Sequence, residues 1–323
     1  MSEPIQETSD EIRIGISTCL LGQEVRFDGG HKHDRFVTDT LGRWFTFVPV
    51  CPEVEVGMGI PRETVRLVRE DGELRMRGGK TSKDWTVVMN RYSKRRVKAL
   101  DEMNLHGYLL KKGSPSCGME RVKVYTTAGM PSESTAGLFA AALMERFPLL
   151  PIEEEGRLND PVLRENFIER VFAYKRVRDL FGGRWTRGDL VAFHSREKIL
   201  ILAHEPKAEK ELGRIVANAK ELGRAEVARS YPETFMRALG RQATKARHAN
   251  AFHHMLGHFK KILGAPQRAA LAASVEDYRN GLVPLVVPIT LFNHYVELYG
   301  VEYLKGQMYL SPHPKELLLR NHV

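Results

Sequence analysis

Cys19, Cys51 and Cys117 are the only thiols in the 323-residue chain, and each follows a short apolar run: IRIGIST, FTFVPV and GYLLKKGSPS. Such runs read as strands. In a parallel α/β sheet the carboxyl ends of strands converge on a crevice, so three thiols far apart in sequence are expected to share one site. Three thiolates on one metal centre leave a coordination position open, an arrangement suited to chemistry rather than scaffolding. A low, odd cysteine count also fits reducing surroundings, where thiols serve metals or catalysis.

Other reactive groups flank the cysteines. Glu53 lies two residues beyond Cys51, where a carboxylate could shuttle a proton to whatever the metal binds; it could equally cap a helix or pair with Arg62. The loop Lys111-Lys112-Gly113-Ser114-Pro115-Ser116-Cys117-Gly118 brings backbone amides that can hold sulfides or an anion, and Ser114 or Ser116 could hydrogen-bond a substrate. The loop Arg26 to His31 offers Asp28 to the substrate, with His31 or His33 as a fourth ligand should the metal be zinc. No two cysteines form a C-x₂-C knuckle, which disfavours zinc. His254 and His258 stand four apart on a helical segment but lack a companion carboxylate, so they read as part of an ordinary basic helix.

The elements that must position these groups alternate. Ile12 to Ser17, Phe45 to Val50 and residues 106–110 read as core strands, residues 33–44 and 84–103 as helices, and residues 64–77, centred on Asp71-Gly72, as a hairpin. A helix over 134–147 and a strand over 149–152 complete a Rossmann-like α/β domain with a mainly parallel sheet. After Glu153-Glu154-Glu155-Gly156 the composition turns helical, with Asp160 and Pro161 as a helix start and helices expected over 162–181, 189–203, 207–219, 232–263, 266–280 and 289–299. The expected domains are a disordered segment 1–10, a metal-binding α/β domain 11–156 and an all-α domain 157–323.

Composition narrows the function classes. With 42% hydrophobic and 28% charged residues, and no run near the roughly 18 apolar residues of a membrane span, the chain reads as soluble with no membrane partner. Its acidic, polar start is unlike a signal peptide, so the cytoplasm is expected. The formal charge of +9 would attract anionic partners, but the Lys and Arg residues are spread over helices, as on a solvated face.

Taken together, STCLLG with RFDGG, CPEVEVGMGIPRE and KKGSPSCG resemble the thiouracil desulfidase family (TudS-like, formerly a domain of unknown function) over about residues 11 to 155, and the remainder is similar to the YbgA-like helical domain fused to it. The resemblance implies a [4Fe-4S] cluster on Cys19, Cys51 and Cys117, whose fourth iron is free for the substrate's sulfur. It implies non-redox desulfuration of thiouracil or thiouridine-type compounds: the free iron captures the thiocarbonyl sulfur and water, activated by Glu53, replaces it. Ser114 or Ser116 would act with Glu53, and Asp28 and Lys112 would contact the substrate. The substrate it implies is a thiolated pyrimidine base or nucleotide, with thiolated tRNA a further candidate. Many relatives carry another cysteine where this chain has Val25, so no spare thiol stands there. The resemblance assigns the helical half no role. The alternative is a nucleic-acid-binding or stress-response module with a structural metal; thiol redox chemistry is disfavoured because no C-x-x-C is present.

Overall fold

Residues 11–323 are described by the computed structural model; the segment expected to be disordered, 1–10, lies outside the described residues. β1 (Ile12–Ser17) leads through a 3-10 turn (Thr18–Leu21) and irregular helical turns (Phe36–Thr40, Leu41–Arg43) to β2 (Phe45–Val50) and the short helix α1 (Pro52–Glu55). There follow β3 (Val65–Glu70) and β4 (Glu73–Gly78), α2 (Thr86–Asp101), β5 (Leu105–Leu110), β6 (Val122–Thr126) and β7 (Pro131–Thr135), α3 (Leu138–Arg146) and β8 (Ile152–Glu154). One sheet runs β2-β1-β5-β8 with every pairing parallel; the other runs β4-β3-β6-β7. In the parallel sheet the chain leaves β1 for β2 on one side and later returns to β5 on the other. That reversal opens a crevice at the carboxyl ends of β1 and β5.

The apolar runs form these strands because both faces are covered: Ile14, Ile16, Tyr108, Leu109 and Leu110 are fully buried. Gly15 is required by packing, since a Cβ there would stand 2.2 Å from the Tyr108 ring. Asp71 and Gly72, with φ of 50° and 79°, form the two-residue turn of the β3–β4 hairpin.

Several expected elements differ. A second hairpin, β6–β7, occupies ground partly read as helix: Ser134 pairs with Lys123 in the sheet, so α3 starts at Leu138 instead of 134. The segment 33–44 forms short π and 3-10 turns, not one helix. Glu153 and Glu154, read as marking a change of composition, are buried in β8 and end the parallel sheet.

The chain divides into two compact units, one ending at Asn159 and the other beginning at Asp160. The second unit is helical: α4 (Pro161–Phe181), α5 (Arg187–His204), α6 (Pro206–Ala217), α7 (Ala219–Leu222), α8 (Arg224–Leu239), α9 (Lys245–His258), α10 (Ala265–Arg279), α11 (Val286–Tyr299) and α12 (Glu302–Lys305). The single helix expected over 232–263 is two. Pro232 lies inside α8, and the chain breaks after Leu239 before Thr244 caps α9 by accepting the Arg247 N–H.

A charged network lies inside this unit. Buried Arg320 donates to Glu165 Oε1 at 2.8 Å and Glu169 Oε2 at 3.1 Å. His204 stands 2.6 Å from both Glu169 Oε1 and the Arg241 carbonyl, so both ring nitrogens donate and the ring is an imidazolium. Burial opposes the charge on each partner, but their mutual attraction prevails, holding the Glu169 carboxyl below its ordinary 4.5 and His204 above its ordinary 6.5. Stability from Glu169 is therefore present above pH 4.5 and lost on acidification; that from His204 is present below pH 6.5 and lost as pH rises through its folded value. Glu169→Gln strands the buried imidazolium and leaves Arg320 with Glu165 in place of two carboxylates, and is expected to destabilise the unit by about 3–5 kcal/mol. Urea unfolding across that pH range checks both the loss and the flattening of its pH dependence.

Candidate active site

Each cysteine is fixed by the turn that ends its strand. Cys19 sits in the 3-10 turn after β1, where its carbonyl accepts the Lys32 N–H at 2.9 Å and Gly22, at φ 84°, reverses the chain. Cys51 directly follows β2 and is the N-cap of α1, with Pro52 in the first turn. Its N–H donates to Glu55 Oε1 at 3.1 Å, and Tyr92 holds the other Glu55 oxygen at 2.8 Å. Because Ser17 pairs with Val50 in the sheet, the first two cysteines leave adjacent strand ends in register. The third follows β5. Its loop caps α3, whose Leu138 and Phe139 N–H groups donate to the Pro115 and Ser116 carbonyls at 3.0 Å each. Gly137 makes this close docking feasible, since a Cβ there would stand 2.5 Å from the Ser116 carbonyl.

The three strand ends enclose a cavity of about 240 Å³ lined by Cys19, Cys51, Glu53, Lys112, Ser114 and Cys117 among others. Glu53 lies at its centre of hydrogen bonding. Its Oε1 accepts both seryl hydroxyls, Ser114 and Ser116, at 3.0 Å each, and its Oε2 is ion-paired with Arg62. The pairing with Arg62, one of two alternatives in the sequence, is realised. Ser114 Oγ also accepts the Ser116 and Cys117 N–H groups at 3.2 and 3.1 Å, so one hydroxyl shapes the cysteine loop while binding the carboxylate. Ser116 is fully buried behind it.

The thiols feel both burial and each other. Burial pushes Cys19 up to about 11, against the pull of nearby Lys111, with Cys51 raising it further. Burial also raises Cys51, opposed by the Val54 N–H, and raises Cys117 well above its ordinary value, aided by Glu53 and the other two thiols. Loading a metal group here must therefore expel protons. Among the described residues no three His, Cys, Asp or Glu side chains group around one ion-sized point. The three thiols line the wall of one shared cavity, a donor set that would suit an iron–sulfur cluster.

Not every expected residue reaches the cavity. Asp28 is exposed and outside the lining. Its Oδ1 accepts the Gly30 N–H at 3.1 Å and lies 3.5 Å from Arg26, so it shapes its own loop. His31 and His33 are also outside the lining, and His33 Nε2 meets Thr38 Oγ1 at 2.9 Å. His258 stacks on Tyr303 at 4.5 Å. Val25 does line the cavity, and its carbonyl accepts from Arg62 Nη1 at 2.9 Å. Sequence reasoning missed the pairing of Lys111 with Glu155. Their ion pair, with Lys112 N donating to Glu155 Oε2 at 2.7 Å and Lys111 N to Ser17 Oγ at 2.9 Å, ties the third loop to β1 and to the residue after β8.

Residues 14–155 match the family described as 2-thiouracil desulfurase, and residues 198–314 match a protein family of unknown function, DUF1722. The chain is similar to the uncharacterized protein YbgA of Escherichia coli (strain K12), 31% identical over 153 residues covering 47% of this chain and 90% of that protein. It is similar also to the uncharacterized protein YbbK of Bacillus subtilis (strain 168), 30% identical over 154 residues covering 46% of this chain and 98% of that protein. A solved structure of a [4Fe-4S]-dependent thiouracil desulfidase, TudS, is 30% identical, covers 46% of this chain and 94% of its own, and superposes with a TM-score of 0.37. With such relatives matched over nearly their whole length, the chain belongs to the 2-thiouracil desulfurase family through its first unit and carries a DUF1722 region in its second.

Proposed function

We propose that the protein is a hydrolytic desulfidase that replaces the thiocarbonyl sulfur of a thiolated pyrimidine by oxygen, without net redox change, using a [4Fe-4S] cluster held by Cys19, Cys51 and Cys117. The observation that carries this reading is the convergence of three thiols and one hydrogen-bonded carboxylate on a single cavity. When bound, such a cluster supplies a soft Lewis acid suited to sulfur, at the iron no cysteine holds.

The remaining steps fall to the chain's own residues. A carboxylate offers about four acceptor sites; Ser114 and Ser116 occupy Oε1 and Arg62 occupies one site on Oε2. The remaining site on Oε2 holds the attacking water and takes its proton. Oxygen bonds to the ring carbon as the thiocarbonyl π pair moves onto sulfur; the remaining carbon–sulfur bond then breaks with its electron pair on sulfur while the oxygen gives up its second proton and closes the carbonyl, so that the two water protons, one by way of Glu53, leave with the sulfur as hydrogen sulfide. Ser114 and Ser116 fix the base; their hydroxyl protons are committed to Glu53, so neither is read as a substrate donor. The Lys112 side chain on the cavity wall would attract an anionic substituent such as a phosphate. The cavity of about 240 Å³ must take the cluster as well as the reacting group and is already below the roughly 300–1,000 Å³ of drug-sized pockets, so any substrate larger than a base would present one base to it. A reducing cytoplasm suits unpaired thiols.

The test is anaerobic reconstitution with iron and sulfide, followed by addition of 2-thiouracil and of 4-thiouracil. Loss of the thiocarbonyl absorbance with matching sulfide release is expected for the loaded protein and not for the protein stripped of iron. Equal turnover by the stripped protein, or none by a fully loaded one on either compound, overturns the reading.

A further inference from the structure

We infer that Arg62 is the positioning residue of this site, acting through Glu53 and independently of the metal group. The inference rests on the desulfidase reading and adds to it a residue of the cavity wall whose side-chain hydrogen bonds all go to protein groups.

Arg62 ties together three separately folded segments. Its backbone N–H donates to the Phe27 carbonyl at 2.9 Å, which fastens the loop that follows Cys19. Its Nη1 donates to the Val25 carbonyl at 2.9 Å and to the Gly59 carbonyl at 3.1 Å, and its Nη2 pairs with Glu53 Oε2. Its side chain is 5% exposed and that of Glu53 17%, so the pair lies largely out of water and its geometry is set by the protein. The Val25 carbonyl also stands 3.9 Å from Cys51 Sγ, so Arg62 helps define the wall shared by the second cysteine and the carboxylate.

The planar guanidinium is what this position requires. Its donors diverge in a fixed fork, so one side chain reaches Val25, Gly59 and Glu53 at once, and a lysine ammonium on a flexible stem could not hold all three. The serines fix only Oε1; without Arg62 the carboxylate could swing about that anchor, carrying Oε2 away from the water it must hold. Arg62 Nε is buried with no hydrogen-bond partner.

A double-mutant cycle tests the inference. Arg62→Gln, Glu53→Gln and the double variant are reconstituted with iron and sulfide and assayed under single-turnover conditions, so that slow rates remain measurable; KM and kcat are measured for the wild type and Arg62→Gln. Arg62→Gln is expected to retain the wild-type iron content and visible absorbance, to keep its KM, and to lose about 100-fold in kcat, as displacement of a reacting group by about 1 Å does. Arg62→Lys, which keeps the charge, is expected to fall between the two. In the Glu53→Gln background, removing Arg62 should change the rate by less than about twofold, the limit within which independent effects are resolved. The same loss in both backgrounds, or loss of iron from Arg62→Gln, overturns the positioning role while the desulfidase reading stands. An inactive but iron-replete wild type sinks both.

Discussion

Cys117→Ala is expected to yield a folded protein that binds no stable iron–sulfur group and releases no sulfide from 2-thiouracil or 4-thiouracil. Cys117 is buried, in the loop that docks onto α3 through the Pro115 and Ser116 carbonyls, and those backbone bonds survive the loss of a sulfur atom. The fold of the first unit should therefore persist, as far-UV circular dichroism can show. Two thiols remain, from neighbouring strand ends, and they cannot supply three anchors. Losing even an outer partner of a metal ligand weakens binding by about 10–100-fold, so losing the ligand itself should exceed about 100-fold and leave activity at background. Cys19→Ala and Cys51→Ala should behave alike, because all three thiols line one cavity. Iron per chain and visible absorbance are the measurements. Retention of iron and turnover by any one of these variants would falsify the three-thiol site.

The residues that build this site were legible to different degrees, for physical reasons. Strands β1 and β5 are buried on both faces and the edge strand β2 at its two ends, so their apolar runs announce them, and the cysteines beyond fall where a parallel sheet gathers its ligands. The β3–β4 turn was legible because Asp-Gly is a strong local signal. The β6–β7 hairpin was not: Pro131, Ser132, Glu133 and Ser134 are exposed and carry no alternating apolar pattern. Glu153, Glu154 and Glu155 look like a solvated acidic run, yet each has a partner, local for Glu153 and distant in sequence for Glu154 and Glu155. Glu154 accepts the Met119 N–H at 2.8 Å, Glu153 accepts Arg157 at 2.6 Å and Glu155 holds Lys111 and Lys112. Asp28 lies outside the cavity lining for the opposite reason. Its own loop, turning at Gly29 with φ 75°, satisfies the carboxylate locally and keeps it from the cavity. Whether Ser114 or Ser116 acts could not be read from the motif; in the structure both hydroxyls donate to the same oxygen of Glu53.

Glu53→Gln should separate catalysis from metal binding. The amide has nearly the shape of the carboxylate, but it replaces one acceptor with a donor. If the amide nitrogen faces Arg62, two donors confront each other and the ion pair is lost; if it faces Ser114 and Ser116, both hydroxyls lose their acceptor. In either orientation no oxygen remains that can take a proton from water, and removal of a positioned general base typically lowers a rate by about 10²–10⁴. A fall of that size in kcat is expected, with the iron content of the wild type, because Glu53 is no ligand in this reading and the cysteines are held by other bonds: Glu55 on Cys51, Lys32 on Cys19 and Ser114 on Cys117. Ser116→Ala should lose less, since Ser114 still anchors Oε1 and the base itself is intact. The ordering carries the argument. If Glu53→Gln turned over thiouracil at the wild-type rate with a full cluster, water would have to be activated elsewhere, and the cavity offers Glu63 as the other carboxylate on its wall. Glu63 already accepts the Lys80 and Thr81 N–H groups at 2.6 and 2.9 Å through Oε2 and the Thr81 hydroxyl through Oε1, which leaves Glu53 as the better-placed base.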